Sequence, residues 1–568
     1  MADYIHGAYG EINAVGSKQA EESAGAIVYV GTAPVHTLDG GADNVNVPIL
    51  VNNIAEARKK FGYSDDWASY TLCEAMHVHL ENKGVGPLVF INVLDPAEHT
   101  LLTDTVTENK TPNDGQILLT DASLIVTDTI VVGTKTLNTD YTVSIDSEND
   151  KVVIAEKTAG GLGNAALAVS YKKLSVTTVS KTPANGRITI AEAESIILDT
   201  VVIKTQDPTP VTKVKGTDYS IAYNIDQKTI VIKELTSGAL GSDALTITYE
   251  KIDASAVTSA DVIGSSDGLG RNTGLFAIKD VYQLTGYIPS YLVCPGFSSV
   301  PAIHAAMYQN SVKVNGHWDV YMFTDLPITN GGTPLNFDTI ATYKTAQSYN
   351  KENETVHFPL VDGIDGNKYH LSVLRAANFQ ELLIAQDGIP YRSASNTACA
   401  LVQNLYLGED YAGRIFDDSI INEKLNKNGI ASAAYVGGRW AIWGAHSADY
   451  DQSNATQINV AETNRMMLYY ISNDFQARRV QDVDQPLTPN DIKTIVSEEQ
   501  ARLDALVNIG ALTYGVVELN ASDDARSDIL NGDWSFSFTV TTTPLAKSLT
   551  AVVTWTDDGF ATYFEEAA

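Results

Sequence analysis

Cysteine is nearly absent from this chain: three residues in 568, Cys73, Cys294 and Cys399, lie far apart with no CxxC spacing and no even count. That excludes a disulfide framework and a thiolate metal knuckle, and the expectation is three reduced, buried thiols. Long apolar runs are missing as well. No uncharged stretch approaches the roughly 20 residues of a membrane span, and Met1-Ala2-Asp3-Tyr4-Ile5-His6 offers neither a basic nor an apolar leader segment. The expectation is therefore synthesis and folding in the cytoplasm, with no membrane insertion. Positive charge is scarce too, with 38 Lys and Arg against 69 Asp and Glu and a net charge of -31. Such a surface repels phosphate backbones and anionic lipid, which argues against a nucleic-acid partner and leaves a basic protein surface open.

The chemistry of catalysis is equally thin. Gly31-Thr32-Ala33-Pro34 follows a strand pattern, but no Gly-Lys-Ser/Thr and no further glycine at dinucleotide spacing completes a phosphate loop, so it reads as a turn. Cys73 and His77 are four apart on a predicted helix with His79 nearby, yet no second cluster completes a metal site. Asp65-Asp66 and Asp557-Asp558 are paired acids in turn sequence, and no Gly-x-Ser-x-Gly elbow appears. Arg478-Arg479 on a long helix has two readings, a solvated face or a grip on a carboxylate of another subunit. No cofactor, metal or catalytic residue is expected, and the chain is not read as an enzyme.

At 568 residues the chain exceeds one core. Residues 24–34 form a continuous apolar run closed by turn residues, the pattern of a strand buried on both faces. Helices fit Ile54–Phe61, stopped by Gly62, and residues 67–81, before a second buried strand at 88–93. This α/β texture stops near Pro96 and resumes near Leu275. There Ser290-Tyr291-Leu292-Val293 reads as strand, Ser299 as the cap of a helix over 300–313, and residues 318–323 as the next strand. A further helix is expected around 340–349.

Between the two halves lies a Thr- and Val-rich segment that repeats itself. Thr139-Asp140-Tyr141 recurs as Thr217-Asp218-Tyr219, and Gly160-Gly161-Leu162-Gly163 as Gly238-Ala239-Leu240-Gly241, both displaced by 78 positions. Thr111-Pro112 and Gly115 match Thr182-Pro183 and Gly186 at 71, so the second copy carries about seven extra residues near 205–211. Two tandem all-β, sandwich-like modules inserted into the α/β domain is the reading. Downstream, long helices fit 458–480 and a stretch from the cap Thr488 to Gly510. Strands at 513–517 and around Trp534, Phe536, Phe538 and Val540 make two helices on an antiparallel sheet the simplest packing.

The end of the chain stands apart. Leu549, Ala551, Val553 and Trp555 alternate with Thr550, Thr554 and Thr556, strand-forming sequence with nothing left to cover it. Another copy of the same chain is one partner for it, by strand addition.

The sequence resembles the contractile tail sheath proteins of myovirus-type phage tails and R-type bacteriocins. The residues carrying the resemblance are 26–34, Phe61-Gly62, Glu81-Asn82-Lys83-Gly84 leading into 89–93, Asp387-Gly388-Ile389-Pro390-Tyr391-Arg392-Ser393-Ala394-Ser395-Asn396, Leu425-Asn426-Lys427-Asn428-Gly429-Ile430, 437–444, Phe475-Gln476-Ala477-Arg478-Arg479 and 510–515. It covers roughly 20–95 and 265–555 and leaves out the repeat. The family's Trp-Gly-x-Arg-Thr stands here as Trp443-Gly444-Ala445-His446-Ser447.

The resemblance implies an α/β core with a mixed sheet over 24–100 and 257–432, inserted β modules over 101–178 and 179–256, and an α+β C-terminal domain over 433–548. Extended arms would occupy 1–23 and 549–568. It also implies a homo-oligomer of stacked hexameric rings around a tail tube, meeting baseplate and tail terminator proteins, in a virion tail or bacteriocin particle assembled in the host cytoplasm. Inter-subunit strand exchange would fall to Tyr4, Ile5, Tyr9 and Ile12 in one arm and to Leu549, Ala551, Val553 and Trp555 in the other. The alternative is a surface or virion adhesin whose tandem β modules bind glycan or protein; an α/β hydrolase is disfavoured for want of a nucleophile.

Overall fold

The computed structural model describes residues 25–456, 458–520 and 529–560. Its centre is an eight-stranded mixed sheet of strands β1 (Gly25–Gly31), β2 (Ile49–Val51), β3 (Leu88–Asn92), β4 (Ile288–Val293), β5 (Tyr321–Asp325), β6 (Glu354–His357), β7 (Ile430–Val436) and β8 (Arg439–Trp443). They lie in the order β2-β3-β1-β4-β5-β6-β7-β8. The inner pairs are parallel, while β2/β3 and β7/β8 at the edges are antiparallel. Both faces are covered, which explains the continuous apolar runs: Ile27 and Tyr29 enter one buried cluster, and Ala26, Val28 and Val30 the other. The helix Leu371–Ala385 is buried along most of its length against the first of these clusters.

The helix over Ile54–Phe61 falls where the pattern placed it, with Asn53 Oδ1 accepting from Glu56 N at 2.9 Å. Other elements differ. The helix expected over 67–81 begins only at Thr71, because Asp66 holds the preceding turn through Tyr70 N and Ser69 N. From Met76 to Lys83 it widens into a π-helical turn, in which buried His79 bonds Tyr29 Oη at 2.6 Å and Gln380 Oε1 at 2.7 Å. Residues 275–278 lie in the 3-10 helix Gly274–Asp280. The helix assigned to a Ser299 cap runs Pro301–Gln309 with Val300 at its cap, since proline's fixed φ suits the first helical position. The strand expected at 318–323 begins at Tyr321, because Trp318 is tied to Val314 in a tight turn by two backbone bonds.

The chain from β3 to β4 carries the repeat, and its two copies share one topology. In the first, Val106–Lys110, Leu167–Lys173 and Ile125–Val132 form one antiparallel sheet and Gln116–Thr120, Lys151–Glu156 and Tyr141–Asp146 another. In the second the same order recurs with Val176–Lys181, Leu245–Glu250 and Val202–Thr205, and with Arg187–Ile190, Thr229–Glu234 and Tyr219–Asn224. Each copy has its own apolar cluster. Matched bonds hold matched turns: Asp140 Oδ2 accepts from Thr136 N at 2.8 Å and Asp218 Oδ2 from Val214 N at 2.7 Å. Gly115 and Gly186 both take positive φ, of 72° and 69°, after a residue that does the same, as a two-residue hairpin requires. The extra residues near 205–211 form an exposed loop closed by Thr205 N to Val211 O at 3.0 Å.

Candidate functional site

The region after β8 is built on the helix Glu462–Arg479, which enters the core headfirst. Glu462 lies in its first turn, where unpaired N–H groups favour an acid. Its carboxylate accepts from Arg375 Nε at 3.1 Å and from Arg375 Nη2, from Ser393 Oγ at 2.6 Å and from Thr355 Oγ1 at 2.7 Å, and both charged side chains are wholly buried. Further along, Asn473 exchanges two bonds with the Asp319 backbone, at 3.0 and 2.8 Å.

The second helix, Pro489–Asn508, starts with the Thr488/Asp491 capping box and packs beside the first. Arg478 and Arg479 meet it. Arg478 forms a two-pronged pair with Glu499 at 2.6 and 2.8 Å, Arg479 Nε reaches the same carboxylate at 2.7 Å, and Arg502 reaches Asp474 at 2.9 Å. Burial alone would raise the pKa of Glu499, but the two arginines hold it below the usual range. The acid that these arginines grip is thus in their own chain, which neither sequence reading anticipated.

A two-stranded antiparallel sheet, Leu512–Leu519 with Phe536–Thr542, lies on these helices. Phe536 and Phe538 face Phe475, with ring centroids 6.0 and 5.3 Å apart. The register Gly515↔Val540, Val517↔Phe538 and Leu519↔Phe536, with Asn520 N bonded to Ser535 O, makes these the non-hydrogen-bonded pairs. The N–H and C=O of Phe536, Phe538 and Val540 therefore point outward, along an edge with no neighbouring strand among the described residues. Beside that edge runs a groove of about 420 Å³ whose floor is apolar, from Leu468, Ile471, Phe475, Phe536, Phe538 and Val540, with Lys313, Ser472 and Gln476 also lining it.

The chain leaves this sheet on the other side. Thr543 N and Oγ1 bond Ala511 O and Gly510 O, at 3.3 and 2.7 Å, and Lys547 Nζ reaches Tyr450 Oη at 2.9 Å across a cavity of about 1060 Å³. Tyr450 is stacked on His446, centroids 3.7 Å apart, and His446 Nδ1 is 2.6 Å from Val460 O. Burial lowers the pKa of this histidine, which stands where the pattern of the sheath proteins that the sequence resembles has arginine. Beyond Ser548 the chain runs without secondary structure to Thr556. Leu549, Val553 and Trp555 are 92%, 91% and 77% exposed, and Ala551 is exposed too. These four expected exchange residues thus share one exposed segment with no strand partner among the described residues. Tyr4, Ile5, Tyr9 and Ile12 lie outside the described residues.

The remaining candidates have ordinary partners. Cys73, Cys294 and Cys399 are buried free thiols. His77 Nδ1 is 3.0 Å from Glu81 while His79 faces the sheet, so the pair with Cys73 converges on nothing. Thr32 of the glycine loop bonds Ser69 O and Thr71 N. Sequence reasoning missed the Arg375–Glu462 pair and the open edge itself. The alternation of Phe536, Phe538 and Val540 was visible, but which edge stays bare depends on the helices.

No family model matches the chain. It is similar along nearly its whole length to the tail sheath protein of Burkholderia phage BcepMu, 22% identical over 561 residues, which is 97% of this chain and 96% of that protein. The major tail sheath protein of Serratia phage KSP20 is 24% identical over 320 residues, 56% of this chain and 75% of its own. Among solved structures, a sheath tail protein from Desulfitobacterium hafniense aligns over 91% of this chain and 93% of its own with a TM-score of 0.43 and 10% identity. The resemblance seen in the residues is thus to proteins described as phage tail sheaths.

Proposed function

We propose that this chain, similar over 97% of its length to one phage tail sheath protein, is a structural subunit of a contractile tail sheath and not an enzyme. The observation that supports this best is a pair of unsatisfied surfaces in one molecule. One is the bare edge of Phe536–Thr542 above its apolar groove; the other is the exposed segment 549–556, with apolar side chains at every second position. The segment is eight residues long against an edge strand of seven. Thr543 and Lys547 lead it away from its own edge. Its partner is then the edge of a second copy, joined by strand addition.

The energetics favour a lattice over a dimer. Burying Leu549, Val553 and Trp555 contributes about 1.5–3 kcal/mol each, while ordering eight residues costs about 1–2 kcal/mol apiece. These two terms leave one such contact short by several kcal/mol, a gap that the backbone hydrogen bonds of strand addition, about 0.5–1.5 kcal/mol each, narrow without closing firmly, so stable assembly needs many contacts at once. Contacts of this kind are heterologous and propagate into a helical tube. Stacked hexameric rings around a tail tube, ending at a baseplate and a terminator, are the arrangement we favour, in a virion tail or a headless bacteriocin particle. Contraction is then a rigid-body repacking of subunits, with the exchanged strands as the joints.

Truncation before Leu549 tests the reading. The shortened protein should keep the circular dichroism and melting behaviour of the full chain yet form no tubes by electron microscopy. Tubes of normal appearance from that truncation would sink the assignment.

A further inference from the structure

The two edges of the C-terminal hairpin are not equivalent. Along the outer side of Leu512–Leu519, the side-chain amide of Gln500 sits where a neighbouring strand would sit. Its Nε2 donates to Gly515 O at 3.0 Å and its Oε1 accepts from Val517 N at 3.1 Å. These are the two bonds that a residue opposite Val516 on an added parallel strand would make. Asp504 Oδ1, one turn along the helix, accepts from the same Nε2 at 2.8 Å and fixes the amide. The helix comes this close because position 515 is glycine: a Cβ there would lie 3.0 Å from Leu503 Cβ.

Among the described residues no side chain does this for the opposite edge. There the outward N–H and C=O of Phe536, Phe538 and Val540 have no hydrogen-bond partner among the described residues, and the groove continues the helix-facing side of the sheet past its last strand. One edge is closed at its midpoint by an amide, and the other offers both backbone groups and an apolar floor.

We infer that strand addition is one-sided: Gln500 closes the Leu512–Leu519 edge, and residues 549–556 of a second copy add only alongside Phe536–Thr542. This rests on the strand-exchange reading and specifies it. Proteins guard exposed edges because an unpaired edge accepts any strand. Here the guard is selective, and it sets the direction in which each subunit can receive a neighbour, since a hairpin open on both sides would accept arms in two orientations.

The test uses the full-length chain with paired cysteines. Thr539 and Glu518 are exposed, stand on the face away from the helices, and belong to the open and the closed strand respectively. Each is changed to cysteine, Thr539→Cys or Glu518→Cys, and combined in separate variants with Thr550→Cys, Val552→Cys or Thr554→Cys in the arm. The three native cysteines are buried and give little background. Because a disulfide forms only when Cβ atoms approach to about 4 Å, oxidation of the assembled protein should give covalent multimers with Thr539→Cys and none with Glu518→Cys. Adding Gln500→Met, which keeps the side chain's length and loses both bonds, should make Glu518→Cys form multimers as well. Multimers through Glu518→Cys with Gln500 intact would overturn one-sidedness while leaving strand exchange standing. An unchanged pattern after Gln500→Met would remove Gln500 from the explanation. Cross-links at neither position in assembled protein would refute strand exchange itself, and this inference with it.

Discussion

The two inserted β modules share strand order, turn bonds and a buried tyrosine, Tyr141 to Ile130 O in one and Tyr219 to Val201 O in the other; they differ in how they meet the central sheet. The second is docked. Glu194 accepts from Ser64 Oγ at 2.6 Å, its carbonyl lies 2.9 Å from His36 Nε2, and Lys215 bridges Asp39 and Asp199 at 2.6 and 3.0 Å. Ile197, between two of its strands, and Ile252, just past its last strand, join the main apolar cluster of the core. The first module, among the described residues, is tied only to its own linker and to its twin, through Thr103 N to Lys173 O, Leu101 N to Lys251 O and Ser175 N to Leu101 O. One topology thus serves as a fixed bracket and as an outlying body. What separates the two roles is a handful of surface groups, while the interiors stay alike.

The strongest way to break this comparison is excision. Removing 104–173 and joining Thr103 to Leu174 should leave the melting transition of the core in place. Removing 176–250 uncovers the core around Ile197, a loss of about 2–5 kcal/mol on the scale of a deleted buried isoleucine, and should lower that transition by several degrees in calorimetry. Equal shifts for the two deletions would erase the distinction.

Acid sharpens it. Burial, the dominant cause, lowers the pKa of His36 to about 4 although the Glu194 carbonyl favours its charged form. Between pH 6.5 and 4 the unfolded chain takes up a proton that the docked state refuses, so stability at this junction is complete above pH 6.5 and lost as pH falls, about 3 kcal/mol by pH 4. His79 and His357, lowered to about 3 by burial in the core, add a global loss of the same sign. Residues 100–303 contain no histidine. Hydrogen exchange at pH 7 and pH 5 should therefore show loosening around Glu194 beyond that of the core, with the first module's strands unchanged. The smallest effect belongs to Lys215→Ala. Its two ion pairs are partly exposed, so the cost should stay below about 1 kcal/mol and shrink in salt; a larger loss by denaturant titration would make Lys215 a principal anchor.

Legibility followed the range of the interactions. The helices Ile54–Phe61 and Pro489–Asn508 were readable because their caps, Asn53 and Thr488, act within three residues. The repeat was readable because it is a pattern in the chain itself. The Ser299 cap and the strand at 318–323 were misplaced where a proline and a tight Val314–Trp318 turn overrode periodicity. Least visible were groups whose partners depend on how helices approach: Arg478 and Arg479 closing on Glu499, and Arg375 on Glu462. Of the site, the uncovered apolar segment 549–556 could be seen in the sequence. That a bare edge and a guarded one share the same hairpin could not, since Gln500 looks like any polar residue on a helix surface until Gly515 brings the strand to it.

The buried Arg375–Glu462 pair has a mechanical meaning. A pull delivered to the edge of Phe536–Thr542 passes into the helix Glu462–Arg479 packed beneath it, and the far end of that helix is held by four hydrogen bonds to one carboxylate sealed from water. Separating a buried charge pair costs several kcal/mol before any strand has slipped. In the proposed sheath, tension arriving at the rim would therefore reach the central sheet through a helix that holds its footing, with little stretch along the way.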